Sequence, residues 1–327
     1  MKALQVTSLD GPDGVHPAEL PEPKRTGGMV LIDVHVAGVS FVDLLLAQGK
    51  YQIQPEPPFV PGIEVSGVVR EAPADSDVAP GDRVAAFTVL GGGFAEVALA
   101  PSELTFRVPA LSFIATAGLL QNYLTAMLGL RRRGRVAPGE TVLIHGAAGG
   151  VGTAAIQTAK VLEARVLAVT STRAKADTAR GAGADHVLDL NADWVEEVKA
   201  HTQGRGVNVV FDPVGGERLD DSLRCLAPEG RLLIVGFAAG DIPRVQANRV
   251  LLRHVDIVGV NVGGFLTVDP DYLQRSAAEI VALAETGRIR PVIGARYALE
   301  DGGQALRDLA ERRALGKLVL ETRANPR

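Results

Sequence analysis

The sequence predicts an α/β fold in which a doubly wound parallel sheet is inserted into a β-rich unit. Three observations predict it. Residues 141–160, TVLIHGAAGGVGTAAIQTAK, read as a strand, a glycine-rich turn and a helix. Downstream, short apolar runs alternate with helix-like segments, the pattern of βα units stacked into a parallel sheet. Upstream, alternating apolar residues and Pro/Gly turns mark short strands of a second kind of sheet.

In residues 29–40, MVLIDVHVAGVS, Val30, Ile32, Val34 and Val36 share one face, which argues a half-buried strand. Further strands are expected at 65–70, 83–87 and 94–100, separated by Pro80-Gly81-Asp82 and Gly91-Gly92-Gly93. The prolines of QPEPPFVP, residues 54–61, forbid regular pairing there. Residues 111–130, LSFIATAGLLQNYLTAMLGL, are long and apolar enough to suggest a membrane span with a basic flank, RRRGR. Gln121, Asn122, Thr125 and the two glycines favour a helix buried between domains, with the arginines as its solvated C-terminal end.

The middle third supplies strands at 141–145, 165–170, 186–188, 207–211, 231–236 and 256–260. Between them lie helices such as 151–162, where Val151, Ala155, Ala159 and Leu162 share a face. The last third reads as helices at 270–286 and 301–315 and a final strand at 317–321. A nucleotide-binding domain at 118–261 is therefore expected, flanked by 1–117 and 262–327, which form one second domain.

Against the dinucleotide fingerprint G-x-G-x-x-G, the positions fall on Ala147, Gly149 and Gly152. Gly149 lets the backbone approach a pyrophosphate, Gly152 lets the helix pack on the strand, and the helix N-terminus offers free N–H groups to the anion. This is the Rossmann arrangement. The strand after that helix ends VTSTRAK. Thr170, Ser171 and Thr172 bring hydroxyls, Arg173 and Lys175 bring cations, and no carboxylate follows until Asp177. A 2′-phosphate attracts that set and repels a carboxylate, so NADPH is expected rather than NADH.

With 46% apolar and 22% charged residues, a net charge of −4 and a pI near 5.9, the chain has no general attraction for nucleic acid or anionic membrane. Cys225 is the single cysteine, so no disulfide within the chain and no multi-cysteine zinc site can form, which fits a reducing, cytoplasmic setting. The opening MKALQVTSLDGPDG has no apolar core of a signal peptide. Several polar residues read as structural. Asp43 suits a helix cap or turn, Asp212 a turn, His145 a packed imidazole, and Cys225 an apolar helix face.

These segments resemble the zinc-independent quinone oxidoreductases of the medium-chain dehydrogenase/reductase superfamily, the zeta-crystallin-like branch. The resemblance rests on GVSFVD (38–43), Tyr51, PGIEVSGVV (61–69), PGDRV (80–84), GGFAEV (92–97), NYLTA (122–126), HGAAGGVG (145–152), FDPVGG (211–216), GRLLIVGF (230–237) and Gly316-Lys317. It implies a GroES-like catalytic domain around the Rossmann domain. Zinc-dependent relatives carry Cys where this chain has Ser40 and His where it has Ile63, so no catalytic metal is expected and Glu64 reads as structural. By the same resemblance, Gly149, Gly150, Val151 and Gly152 hold the pyrophosphate. Ser171, Lys175 and Lys317 lie at the 2′-phosphate. Phe237 and Asn261 frame the nicotinamide half, and Thr125 bonds near its ribose or carboxamide. Ser40 and Tyr51 face the substrate, Tyr51 as a hydrogen-bond or proton donor. Two departures stand out. Relatives commonly have Asn at the Ser40 position, and some have Tyr where this chain has Leu190.

Without a metal to stabilise an alkoxide, the site suits acceptors that delocalise charge themselves. The expected activity is hydride transfer from NADPH to a quinone. The alternative is an enoyl- or acrylyl-type reductase of activated C=C bonds, such as enones or acyl thioesters. A third reading is a non-enzymatic NADPH- or RNA-binding protein. The acidic pI, 4% aromatic residues and lack of an RNA-binding motif argue against RNA. Residues 254–261, HVDIVGVN, read as an apolar terminal strand that must be covered or paired, and the resemblance implies a homodimer through it.

Overall fold

A computed structural model describes residues 1–88, 91–265 and 268–322. The chain divides into two compact units. The first contains Met1–Gln121, Leu273–Gly287 and Pro291–Arg327, and the second Asn122–Tyr272 and Arg288–Arg290.

The first unit opens with β1 (Lys2–Val6) and β2 (Val15–Glu19), which pair antiparallel. There follow β3 (Met29–Val39), α1 (Phe41–Ala47), β4 (Glu64–Glu71), β5 (Arg83–Phe87), β6 (Val97–Pro101), β7 (Thr105–Arg107) and α2 (Phe113–Thr116). Helix α3 (Leu120–Met127) then leads into a wide turn at Leu128–Arg133.

The second unit alternates β8 (Thr141–Ile144), α4 (Gly150–Val161), β9 (Arg165–Thr170), α5 (Arg173–Gly181), β10 (His186–Asp189), α6 (Trp194–His201), β11 (Val207–Asp212), α7 (Arg218–Cys225), β12 (Leu226–Ile234), α8 (Ala247–Arg253), β13 (Asp256–Gly259) and α9 (Val262–Phe265). The chain returns to the first unit through α10 (Tyr272–Glu285), β14 (Ile293–Ala298), α11 (Gly302–Ala310) and β15 (Lys317–Glu321).

In the second unit six strands lie in the order β10-β9-β8-β11-β12-β13, every neighbouring pair parallel. This is the doubly wound order, which reverses direction beside β8, where ligands bind beyond the strand ends. Leu143, Leu167, Val169, Leu188, Val210 and Leu232 fill its core.

In the first unit the sheet runs β14-β15-β3-β4-β5-β7, with β6 also on β3. The alternation in β3 does what its period demands, burying Val30, Ile32 and Val34 against Leu44, Val65, Val84, Phe94 and Leu318. Each such side chain contributes about 1.5–3 kcal/mol on full burial. The register matters for the site. Gly38 of β3 lies opposite Glu64 of β4 and opposite Val319 of β15, which brings the two ends of the chain together.

Segment 111–130 is not one helix. It splits into α2, capped by the Ser112 hydroxyl accepting from Ala115 N–H, and α3, with a turn at residues 117–119. The break has a non-local cause: the Glu64 carboxylate accepts from the N–H groups of Leu120 and Gln121 and so starts a new helix there. No described helix is long and apolar enough to cross a membrane. The helix expected at 301–315 stops at Ala310, and Arg312 and Gly316 both take positive φ beyond it.

Candidate active site

Strand β8 ends at Ile144, and the chain turns through residues 145–149 before α4 begins at Gly150, with Gly149 as its N-cap. The turn glycine is Gly146, which takes φ +58°, a conformation that L side chains seldom adopt. The fingerprint alignment on Ala147 misses it by one residue. HGAAGG held the signal, since Gly146 is the first glycine after the strand.

Each later glycine has its own reason. A Cβ on Gly152 would strike the Gly146 carbonyl oxygen and come within 2.7 Å of Ala147 Cα, so the helix sits directly on the loop. A Cβ on Gly150 would lie 2.6 Å from Asn122 Nδ2. A Cβ on Gly149 would meet only the Gly146 oxygen, at an ordinary 3.4 Å. The protein does not itself require glycine at 149, and the bare backbone there fits a pyrophosphate against the N-terminus of α4.

At the end of β9, Thr170 is buried, while Ser171 is half-buried. The Thr172 hydroxyl caps α5 by accepting from Lys175 N–H at 3.3 Å. Lys175 Nζ donates to Ser171 Oγ at 3.4 Å, and Arg173 is exposed on the first turn of α5. Asn191 Nδ2 donates to the Ser171 carbonyl, so Asn191 joins this group although its sequence neighbours gave no hint. Phe237 lies three residues beyond β12, near Gly215, and Asn261 lies two residues beyond β13, where its Oδ1 accepts from Gly264 N–H. Thr125 is half-buried on α3.

In the first unit the structure brings together residues from opposite ends of the chain. Lys317 Nζ donates to Glu64 Oε2 at 2.7 Å and to Ser40 Oγ at 2.9 Å. Lys317 is 3% exposed, Ser40 6% and Glu64 0%. The expectation that Lys317 contacts the 2′-phosphate is corrected here. Its ammonium is buried, with Glu64 and Ser40 as its hydrogen-bond partners.

Next to Ser40, Asp43 is fully buried. Its Oδ2 accepts from Ser40 N–H at 2.8 Å and its Oδ1 from Gly62 N–H at 3.0 Å, which is the capping role its position suggests. Burial pushes its carboxyl up to about 7, against the pull of those N–H groups and of Lys317. Tyr51 is half-buried, and burial raises its phenol above the usual value, which keeps it protonated and a donor at neutral pH.

The remaining polar candidates are structural. His145 Nε2 pairs with Ser222 Oγ at 2.8 Å, its ring meets Trp194 edge-on, and burial lowers its pKa. Asp212 Oδ1 accepts from Val214 and Gly215 N–H and shapes their turn. The buried Cys225 thiol is pushed up to about 12 by burial, far from a reactive thiolate.

Residues 26–110 match the alcohol dehydrogenase GroES-like domain, and residues 150–281 match the zinc-binding dehydrogenase family. The residues present do not fit a zinc ion. Ile63 has no donor atom, and a buried ammonium already sits against Ser40 and Glu64, where a divalent cation would meet its repulsion. The chain is 34% identical to a quinone oxidoreductase of Sus scrofa over 328 residues, covering 98% of this chain and 97% of that one. Among solved structures it is similar to a probable oxidoreductase from Mycobacterium abscessus, at 43% identity and a TM-score of 0.90, over 98% of this chain and 99% of that one. A mycobacterial protein solved in complex with NADPH matches at 35% identity and a TM-score of 0.91, over 98% of this chain and all of that one. The chain therefore belongs to the quinone oxidoreductase family, a branch of the medium-chain dehydrogenases that joins a GroES-like domain to a Rossmann domain.

Proposed function

We propose that this protein is an NADPH-dependent reductase that passes hydride to a quinone. The observation that carries the reading is the cradle at α4, where Gly149 is free of any packing demand, together with the hydroxyl- and cation-bearing end of β9. The name of the porcine relative and the NADPH complex of the mycobacterial one support it.

In this reading Gly149, Gly150, Val151 and Gly152 hold the pyrophosphate, and Thr170, Ser171, Arg173 and Lys175 take the 2′-phosphate. Phe237, Asn261 and Thr125 hold the nicotinamide half. The bound dihydronicotinamide supplies the hydride. The chain supplies proximity and donors. Ser40 and Tyr51 donate hydrogen bonds to the acceptor oxygen, on which negative charge grows as hydride arrives. A quinone spreads that charge over its ring, so no metal is required.

The test is steady-state oxidation of NADPH and of NADH with one quinone. NADPH is expected to be favoured at least about tenfold in kcat/KM, and Lys175→Ala to erase most of that preference with little change toward NADH, since it removes one charge-assisted contact. Equal kcat/KM for the two nucleotides would contradict the assignment of β9.

The protein is further proposed to be a homodimer through β13. This strand ends the six-stranded sheet, and the preceding helix α8 leaves Leu251 72% and Leu252 75% exposed. Light scattering should give twice the 34.3 kDa chain mass; a monomer persisting at micromolar concentration would count against it. A cytoplasmic setting is proposed from the single, buried, unpaired cysteine.

A further inference from the structure

The Ser40 hydroxyl is not free to orient as it pleases. An ammonium carries three donors and no acceptor, so in the 2.9 Å contact between Lys317 Nζ and Ser40 Oγ the hydroxyl oxygen must accept. The serine hydrogen is thereby directed away from the lysine and left to donate elsewhere. The lysine is held in place in turn. Glu64 Oε2 takes Lys317, and Glu64 Oε1 takes the N–H groups of Leu120 and Gln121, so both carboxylate oxygens are engaged by donors other than the serine. The room for this arrangement is built into β3: a Cβ on Gly38 would lie 2.7 Å from Lys317 Cε and 3.0 Å from Glu64 Oε2.

We propose that Lys317 is a positioning residue for quinone reduction, which acts through Ser40: it holds the Ser40 hydroxyl as a donor to the acceptor oxygen. The proposal rests on the quinone-reductase reading above. In the step, the quinone gains two electrons and one hydrogen from the dihydronicotinamide, which is oxidised. The hydroquinone monoanion that results takes one proton from water. Ser40 keeps its own proton throughout and serves as a hydrogen-bond donor to the oxygen on which the charge develops. Charge on that oxygen is larger in the transition state than in the bound quinone, so the contribution falls on kcat more than on KM.

The test is a double-mutant cycle of Ser40→Ala and Lys317→Met, with quinone kcat and KM measured beside NADPH affinity by fluorescence titration. Lys317→Met alone is expected to lower kcat about 10- to 100-fold, with quinone KM and NADPH affinity within about threefold of wild type. In the Ser40→Ala background the same substitution is expected to change kcat less than about threefold, because the hydroxyl it orients is gone. Equal losses in both backgrounds, or a loss confined to NADPH affinity, would overturn the proposal. Because Lys317→Met strands a buried carboxylate, the pair Glu64→Gln/Lys317→Met removes both charges and repeats the cycle in a neutral site; its expected kcat loss and its dependence on Ser40 are the same. Wild-type protein that binds NADPH and reduces no quinone would instead refute the reading on which the proposal stands.

Discussion

Glu64→Gln is expected to destabilise the protein by about 3–5 kcal/mol, the cost of stranding one member of a buried ion pair. The glutamate accepts from Lys317 Nζ at 2.7 Å and from Leu120 N–H at 2.7 Å, with Gln121 N–H at 3.2 Å. An amide has one oxygen. If it faces the start of α3, its NH2 meets the Lys317 ammonium; if it faces the ammonium, its NH2 meets two N–H donors. Either way donors confront donors where water is excluded. Adding Lys317→Met is expected to recover part of the loss, since the uncompensated charge goes. Urea unfolding followed by far-ultraviolet circular dichroism is the suitable probe, because the single tryptophan, Trp194, lies on α6 in the other unit. The exposed pair of Glu196 and Lys199 is the control, and Glu196→Gln should cost no more than about 0.5 kcal/mol. A loss below about 1 kcal/mol for Glu64→Gln would mean that the buried pair is not the fastening inferred here.

Gly152→Val is expected to weaken NADPH binding at least about 100-fold and to destabilise the second unit, while Gly149→Ala weakens binding with stability held within about 1 kcal/mol. The two glycines separate what the fold needs from what the ligand needs. At Gly152 the obstacles to a side chain are Gly146 and Ala147 backbone atoms, which cannot step aside without lifting α4 from its loop. At Gly149 the nearest protein atom is at contact distance, so any loss of affinity comes from the ligand side. Isothermal titration with NADPH and thermal unfolding of both variants check this. Wild-type affinity in Gly149→Ala would remove the pyrophosphate from that backbone.

The periodic parts of this fold were legible because burial enforces the period. Strand β3 runs from Met29 to Val39, as its alternating valines require, and β9 and β5 have the expected limits. The elements missed are short or half-exposed. β1 and β2 are five residues each, one of them containing Pro17, and β14 is six residues whose apolar face, Ile293, Ala295 and Tyr297, is only partly buried. The broken helix was illegible for a different reason: its break is set by Glu64, a residue 56 positions from Leu120.

The same distance problem governs the site. The glycine loop is local, so its place between β8 and α4 could be read, with only the turn glycine displaced from Ala147 to Gly146. The Ser40–Lys317 bond joins residues 277 positions apart, and sheet register alone creates it. The resemblance placed Lys317 at the phosphate, and nothing in its sequence neighbourhood announces a buried carboxylate partner. Glu64 read as structural, and it is the partner.

The most direct test of the central claim is oxidation of NADPH at 340 nm by the purified protein with 1,4-benzoquinone and 9,10-phenanthrenequinone, set beside a simple enone and crotonyl- and acrylyl-CoA. Turnover of the quinones, exceeding that of the enone and both thioesters, is the predicted result. Turnover of the thioesters alone would contradict it and make the protein a reductase of activated C=C bonds.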